Sequence, residues 1–90
     1  MAPTTRTPEW LKKCREALGL KQEELAEKLQ LSKNSIYRKE SPKYRVAITR
    51  HDERDIIAFM VEAVKPTGKK LYPNRNTEAL TRLLDAEKTP

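Results

Sequence analysis

The sequence has little cysteine and no long apolar run. Its single cysteine, Cys14, excludes an internal disulfide and a cysteine cluster for a metal, and its apolar neighbours predict a small buried residue rather than a nucleophile. No apolar run approaches the ~18 residues that a bilayer crossing needs, and the N-terminus lacks the apolar core of a secretory signal. We therefore expect a cytoplasmic protein without a membrane partner.

Glycine is also scarce, which disfavours a turn-rich β fold. The chain has two glycines and six prolines in 90 residues, and helix-forming Glu, Lys, Leu and Ala dominate between the prolines. This composition predicts one compact all-α domain with a small core. Apolar spacing and capping residues predict five helices. The first three cover about residues 8–18, 22–29 and 33–40. The fourth begins near Thr49–Asp52 and stops at Pro66, and the fifth is about ten residues long and begins at Asn76 or Thr77.

The predicted organisation has three parts. Residues 1–7 show no apolar periodicity and are expected to form a disordered N-terminal arm. Residues 8–65 are expected to form the functional domain, and residues 66–90 a loop and a C-terminal helix.

The positive charge is concentrated in two segments of the chain. The net charge is +6, and between residues 33 and 50 several bases stand against the single acid Glu40. A clustered positive charge favours an anionic partner such as nucleic acid, although a solvated charged surface has the same composition. The bases of the first segment are Lys33, Arg38, Lys39, Lys43, Arg45 and Arg50, and those of the second are Lys65, Lys69, Lys70 and Arg75.

The second and third predicted helices have the spacing of a helix-turn-helix. Ala26 is small enough for a close helix crossing, and Leu31 and Ile36 would fix the angle between the two helices. An ordinary antiparallel helix pair would need the same leucines but not Ala26, Ser32 and Ile36 at these intervals. With Ile36 in the core, steps of ~100° per residue place Asn34 and Arg38 on the opposite face.

Gln22, Leu25-Ala26, Leu31-Ser32, Ile36 and Glu40 together resemble the lambda-repressor-like, or Cro-type, helix-turn-helix family over roughly residues 10–41. The resemblance implies a five-helix DNA-binding domain whose third helix enters the major groove. It implies base contacts from Lys33, Asn34 and Arg38 with Tyr37 beside them, a phosphate contact from Gln22, and a buried structural ion pair between Arg15 and Glu40. Their positions make Lys21, Ser41 and Lys43 further expected phosphate contacts. Tyr37 fits a thymine methyl group, a phosphate or only its neighbours.

Two residues depart from the family pattern. Gln30 stands where the turn usually has glycine, so a left-handed backbone there would cost ~1 kcal/mol or the turn must relax. Lys21 replaces the usual hydroxyl cap of the second helix. After residue 41 the sequence resembles the family only in its expected fold. The alternation of apolar and polar residues over 42–50 fits either a short strand or an anchored loop, and we favour the loop.

The expected function is sequence-specific regulation of transcription on double-stranded DNA. We expect a repressor or autorepressor of phage, prophage or plasmid type, or an antitoxin-like protein, that binds a palindromic operator as a homodimer. The C-terminal region and the outer side of the fourth helix are the expected dimer contact, with the alternative that the last helix folds back on the fourth. The leucines concerned are Leu80, Leu83 and Leu84.

Other classes of function fit less well. A protein-interaction or RNA-interaction adaptor would use the same scaffold, and a toxin or an anti-repressor is a conceivable protein partner. An enzyme is the least expected class, because the lone His51 has no sequence-evident cysteine or serine partner. We therefore expect no catalytic residues, no cofactor and no metal.

Overall fold

The computed structural model describes residues 5–88, which form six helices and no β-strand. The prediction of an all-helical fold is confirmed. Five helices follow the predicted boundaries closely, and a single additional turn, α5, lies in the segment that was expected to be a loop. The helices are α1 (Pro8–Leu18), α2 (Gln22–Leu29), α3 (Lys33–Glu40), α4 (Arg50–Val64), α5 (Gly68–Leu71) and α6 (Thr77–Lys88).

Side-chain caps define where the longer helices begin. The Thr7 hydroxyl accepts a hydrogen bond from the Trp10 N–H at 3.1 Å, and the Ser32 hydroxyl accepts one from the Ser35 N–H at 3.2 Å. Thr49 caps α4 in the same way, with its hydroxyl 3.1 Å from the backbone nitrogen of residue 52. Each cap satisfies a backbone donor that has no partner within its helix.

One hydrophobic core joins all six helices. Helices α2 and α3 pack against each other, and α1 packs against α3, α4 and α6. Ala26 and Ile36 are buried between α2 and α3, and Leu31 packs on the edge of the core, as the helix-turn-helix spacing predicted. The buried apolar residues are Leu11, Cys14, Ala17, Leu18, Leu20, Leu25, Ala26, Leu29, Ile36, Ile48, Ile56, Met60, Ala63, Tyr72 and Leu80.

Gln30 ends α2 in the left-handed conformation that the family pattern gives to glycine. Its φ is 58° and its ψ is 40°, and its N–H bonds to the carbonyl of Glu27 at 3.1 Å. The turn has therefore kept its left-handed geometry rather than relaxed. A side chain in this region carries steric strain of ~1 kcal/mol that glycine avoids.

Gln30→Gly is therefore expected to raise the free energy of unfolding by roughly 0.5–1 kcal/mol, because Gln30 is exposed and its removal leaves no cavity. Urea unfolding of the variant and the wild type measures the difference. Glu27→Gly, in the helical and exposed part of α2, is the matched control and should destabilise by a similar amount. A loss of stability in Gln30→Gly would contradict the expectation.

The segment after α4 closes the core beside α1. The turn α5 leads into Tyr72, whose ring is buried, and the Lys28 ammonium lies 4.7 Å from the ring centroid. Gly19 then meets the backbone of Asn74 so closely that a Cβ at residue 19 would fall 2.3 Å from the Asn74 carbonyl oxygen. A four-residue helix has too few apolar positions for a periodicity, and for that reason the sequence did not predict α5.

Helix α6 folds back on α4 and α1 within the single chain. Leu80 has no exposed surface and belongs to the core, while Leu83 and Leu84 are partly buried against it. The prediction that Leu80 is a dimer contact is therefore wrong, because the side chain is already covered by its own chain. The structure has the alternative arrangement, in which the last helix packs on the fourth.

The ends of the chain differ in what can be described. Residues 1–4 of the predicted arm and residues 89–90 lie outside the described residues. Arg6 departs from the expectation of a disordered arm, because its guanidinium pairs with Glu53 of α4 and Glu87 of α6 and lies 4.5 Å from the centroid of the Trp10 ring. Within residues 5–88, no helix is both long and apolar enough to cross a membrane.

Candidate nucleic-acid interface

Helix α3 presents one continuous polar face to solvent. Ile36 points into the core without exposed surface, and the opposite side of the helix is open. The predicted base-contacting residues all lie on the exposed part of α3, so the structure brings them together on one surface. They are Lys33, Asn34, Tyr37 and Arg38.

The loop after α3 adds an aromatic residue to this surface. The rings of Tyr37 and Tyr44 meet edge to face, with centroids 5.8 Å apart and an interplanar angle of 60°. The Arg38 guanidinium and the Lys43 ammonium lie 6.0 Å and 5.7 Å from the centre of the Tyr44 ring. Tyr44 is absent from the predicted contacts, although an aromatic residue in a basic loop is a signal that could have found it.

The loop itself is anchored rather than extended as a strand. Ile48 is buried and holds its end in the core, whereas Tyr44 and Val46 are exposed. Arg45 has a φ of 52°, a left-handed conformation that is uncommon for a residue with a side chain. The loop therefore has a defined shape next to α3.

A bidentate ion pair joins α1 to the end of α3, between the residues that the sequence predicted to pair. Arg15 Nε donates to Glu40 Oε2 at 2.6 Å, and Nη2 donates to Oε1 at 3.1 Å. The third guanidinium nitrogen, Nη1, donates to the Leu20 carbonyl at 2.9 Å. The Glu40 side chain is only 5% exposed, so the pair is screened little by solvent.

Gln22 contacts this ion pair and is also partly exposed to solvent. Its side-chain amide nitrogen lies 3.3 Å from Glu40 Oε1, and the residue is half-buried at the start of α2. The backbone N–H of Lys21 donates to the Glu24 carboxylate at 2.8 Å, while the Lys21 side chain is exposed. Two of the predicted phosphate contacts thus stand at the N-terminus of α2.

The other two predicted phosphate contacts follow α3. Ser41 is half-buried, and its backbone N–H donates to the Arg38 carbonyl at 3.2 Å. Lys43 is exposed in the loop beside the Tyr44 ring.

A second buried ion pair, which the sequence analysis missed, ties α3 to α4. The Lys39 ammonium bonds to the Asp52 carboxylate, and both side chains are buried. Burial alone would raise the pKa of Asp52, but the hydrogen bonds from Lys39 and Thr49 and the charge of Lys39 hold that pKa below its usual value. A signal was present, since Lys39 lies three residues after the buried Ile36 and so falls near the core-facing side of α3.

These pairs change which charges belong to the surface. Lys39, counted with the basic cluster in the sequence, is buried and neutralised by Asp52, and Glu40 is neutralised by Arg15. Glu40 and Lys39 therefore do not contribute charge to the exposed surface. The exposed cations of the segment are Lys33, Arg38, Lys43, Arg45 and Arg50.

The two residues considered for chemistry, Cys14 and His51, lie in different environments. Cys14 is fully buried, and burial raises the pKa of its thiol to about 12. His51 is exposed, and its Nε2 lies 3.2 Å from the carboxylate of Asp55. Among residues 5–88 there is no group of three or more His, Cys, Asp or Glu side chains arranged to hold a metal ion.

Residues 11–45 match a protein-family model described as helix-turn-helix. The match contains α2, the left-handed turn at Gln30 and α3, and it confirms the resemblance of this segment to lambda-repressor-like, Cro-type regulators. It supports a DNA-binding transcription regulator. Searches of curated proteins and of solved structures gave no match.

Proposed function

We propose that the chain regulates transcription by placing α3 in the major groove of a specific double-stranded DNA site, because residues 11–45 match a helix-turn-helix family model. The observation that carries the proposal is the exposed face of α3 opposite Ile36. This face gathers hydrogen-bonding side chains, while Ile36 and Lys39 tie the other side of the helix to the protein.

The side chains of this face match the chemistry of base edges. Arg38 has a planar guanidinium that can donate two parallel hydrogen bonds to guanine, and the Asn34 amide can both donate to and accept from adenine. Lys33, at the first turn of α3, suits guanine or a phosphate. Tyr37 suits a thymine methyl group or a phosphate.

The surroundings of α3 suit the DNA backbone. Lys21 and Gln22 stand at the start of α2, where backbone N–H groups favour anions, and Ser41 and Lys43 follow the end of α3. Such contacts fix the orientation of the protein on the duplex without reading sequence. We therefore assign phosphate contacts to these residues and base contacts to α3.

We propose further that the protein acts as a repressor or autorepressor on a palindromic operator. A single helix-turn-helix covers little DNA, and two copies related by a two-fold axis would place their α3 helices in successive major grooves about 34 Å apart. With Leu80 in the core, the surface left for this contact includes the partly buried Leu83 and Leu84 and the exposed Val61 on the outer side of α4. A toxin or an anti-repressor is the alternative occupant of that surface.

Arg38→Ala and Asn34→Ala are each expected to weaken binding to the preferred duplex by ~1–3 kcal/mol, about 5- to 150-fold, and to relax the preference at one base position. Both side chains are exposed, so the free energy of unfolding should stay within ~0.5 kcal/mol of wild type. Fluorescence anisotropy titration against the preferred duplex and a scrambled duplex measures both affinities.

Two variants serve as controls for this experiment. Lys43→Ala should weaken binding to both duplexes alike and make the salt dependence shallower by about one unit of slope. Arg82→Ala, on the distant helix α6, should leave both affinities unchanged. Equal losses on the preferred and scrambled duplexes for Arg38→Ala and Asn34→Ala would show that these residues do not read bases.

A further inference from the structure

We propose that Tyr44, in the loop that follows α3, is a positioning residue for base recognition by Arg38. The inference rests on the proposed function, because it concerns how the same surface achieves its sequence preference. It adds a residue that makes no base contact itself. The Tyr44 ring is the shared neighbour of Tyr37, Arg38 and Lys43.

The chain places this ring by the shape of the loop. The Tyr44 N–H donates to the Ser41 carbonyl at 3.3 Å and closes a turn directly after α3. Arg45 then adopts its left-handed conformation, and Ile48 anchors the loop in the core. The turn sends the chain back along α3, so that residue 44 reaches residues 37 and 38.

The contacts have the geometry of aromatic and cation–π interactions. An edge-to-face pair at 5.8 Å and 60° is a favourable arrangement of two rings, and it orients Tyr37 as well as Tyr44. The face of an aromatic ring attracts cations within about 6 Å, the range in which Arg38 and Lys43 lie. The ring therefore restrains both the aromatic and the cationic side chains of the surface.

The exposure of Tyr44 distinguishes this role from core packing. Tyr44 is 44% exposed, whereas Tyr72 is 1% exposed and fills the core. An exposed aromatic side chain contributes little to the hydrophobic core. The ring instead limits the conformations of the side chains beside it. An arginine that is already restrained loses less conformational entropy when it binds a base edge.

The expected effect is on discrimination rather than on general DNA affinity. Removal of the ring should lower the preference for the base pair that Arg38 reads by roughly three- to tenfold, the usual cost of ordering one free side chain. Binding to scrambled DNA should change less than twofold. Tyr44→Phe keeps the ring and should retain the preference.

The test measures dissociation constants for Tyr44→Ala and Tyr44→Phe, each in the wild-type and the Arg38→Ala backgrounds. The probes are a duplex selected by the wild-type protein from random sequences and the same duplex with the Arg38-dependent base pair replaced. We expect that Tyr44→Ala lowers discrimination, that Tyr44→Phe does not, and that Tyr44→Ala has no further effect once Arg38 is absent.

Three results would overturn the inference. Unchanged discrimination in Tyr44→Ala would show that the ring does not position Arg38, and so would an equal loss of discrimination in the Arg38→Ala background. Equal losses on all duplexes for both Tyr44→Ala and Tyr44→Phe would instead indicate a phosphate contact from the hydroxyl. Circular dichroism and thermal unfolding verify folding, and Tyr44→Leu replaces Tyr44→Ala if the alanine variant unfolds.

The proposed function can fail separately from this inference. A wild-type protein that selects no duplex from the random pool would refute sequence-specific DNA binding itself. A wild-type protein that selects one, together with a Tyr44→Ala variant of equal discrimination, would refute only the role of Tyr44.

Discussion

Arg15→Ala is expected to lower the free energy of unfolding by about 3–5 kcal/mol, which is a large part of the ~5–15 kcal/mol that stabilises a typical domain. The reason is the environment of Glu40, whose carboxylate would stay buried without its bidentate partner. Glu40→Ala should destabilise the fold similarly, because it leaves the Arg15 guanidinium unpaired. Urea unfolding, followed by circular dichroism, measures both variants.

A double-mutant cycle separates the pair from the loss of either side chain alone. The coupling between Arg15 and Glu40 should exceed ~1 kcal/mol, because the two residues share two direct hydrogen bonds. The matched control is Glu78 and Arg82, an exposed pair on α6 whose coupling should stay below ~0.5 kcal/mol. Equal coupling in the two cycles would contradict a structural role for the buried pair.

Asp52→Asn is the second change with a large expected effect. It leaves the Lys39 ammonium buried without a counter-ion and alters the capping box with Thr49, so at neutral pH a loss of about 3–5 kcal/mol is expected. Lys39→Met combined with Asp52→Asn should recover part of that loss, because no buried charge remains. Urea unfolding at pH 7 measures the wild type and both variants.

The pH dependence follows from the direction of the pKa shift. The folded state holds the pKa of Asp52 below its usual value, so the carboxylate stabilises the fold above the unfolded pKa of ~3.9, and this contribution is lost as the pH falls through the folded pKa. The difference in unfolding free energy between wild type and Asp52→Asn should therefore be full at pH 6–7 and shrink in acid. A difference that stays constant down to pH 3 would show that the charge of Asp52 does not stabilise the fold.

The two buried ion pairs each include one of two consecutive residues at the end of α3, Lys39 and Glu40. Lys39 pairs with α4, and Glu40 pairs with α1. Together they fix α3 from two sides at its C-terminal end, while the exposed face that begins at Lys33 stays open. A surface preorganised in this way loses less conformational freedom on binding DNA.

Local signals predicted most of the fold. Thr7, Ser32 and Thr49 cap their helices through hydrogen bonds to residues three positions ahead, and information of this range is present in the sequence. At Gln30 the sequence left open a strained left-handed backbone or a relaxed turn, and the structure has the left-handed form. The exposed face of α3 was predictable, since one buried position, Ile36, fixes the direction of its neighbours.

Long-range features were less predictable. The apolar stripe of α6 has the same period whether it packs on α4 or on a second molecule, and for that reason Leu80 was assigned to a dimer contact although it lies in the core. The position of Lys39 three residues after Ile36 indicated burial, but it did not identify Asp52 as the partner. Tyr44 stands out locally only as an aromatic residue in a basic loop, and its contacts with Tyr37 and Arg38 arise from the turn after α3.

We claim that α3 reads a specific DNA sequence, and selection of bound duplexes from a random pool measures this property. At physiological salt the wild-type protein should enrich one motif and bind it at least about a thousandfold more tightly than scrambled DNA, a ratio that charge alone does not produce. Under the dimer proposal the motif should contain two symmetric half-sites about one helical turn apart. A pool without an enriched motif, bound with equal affinity throughout, would contradict the claim and favour an adaptor with a basic surface.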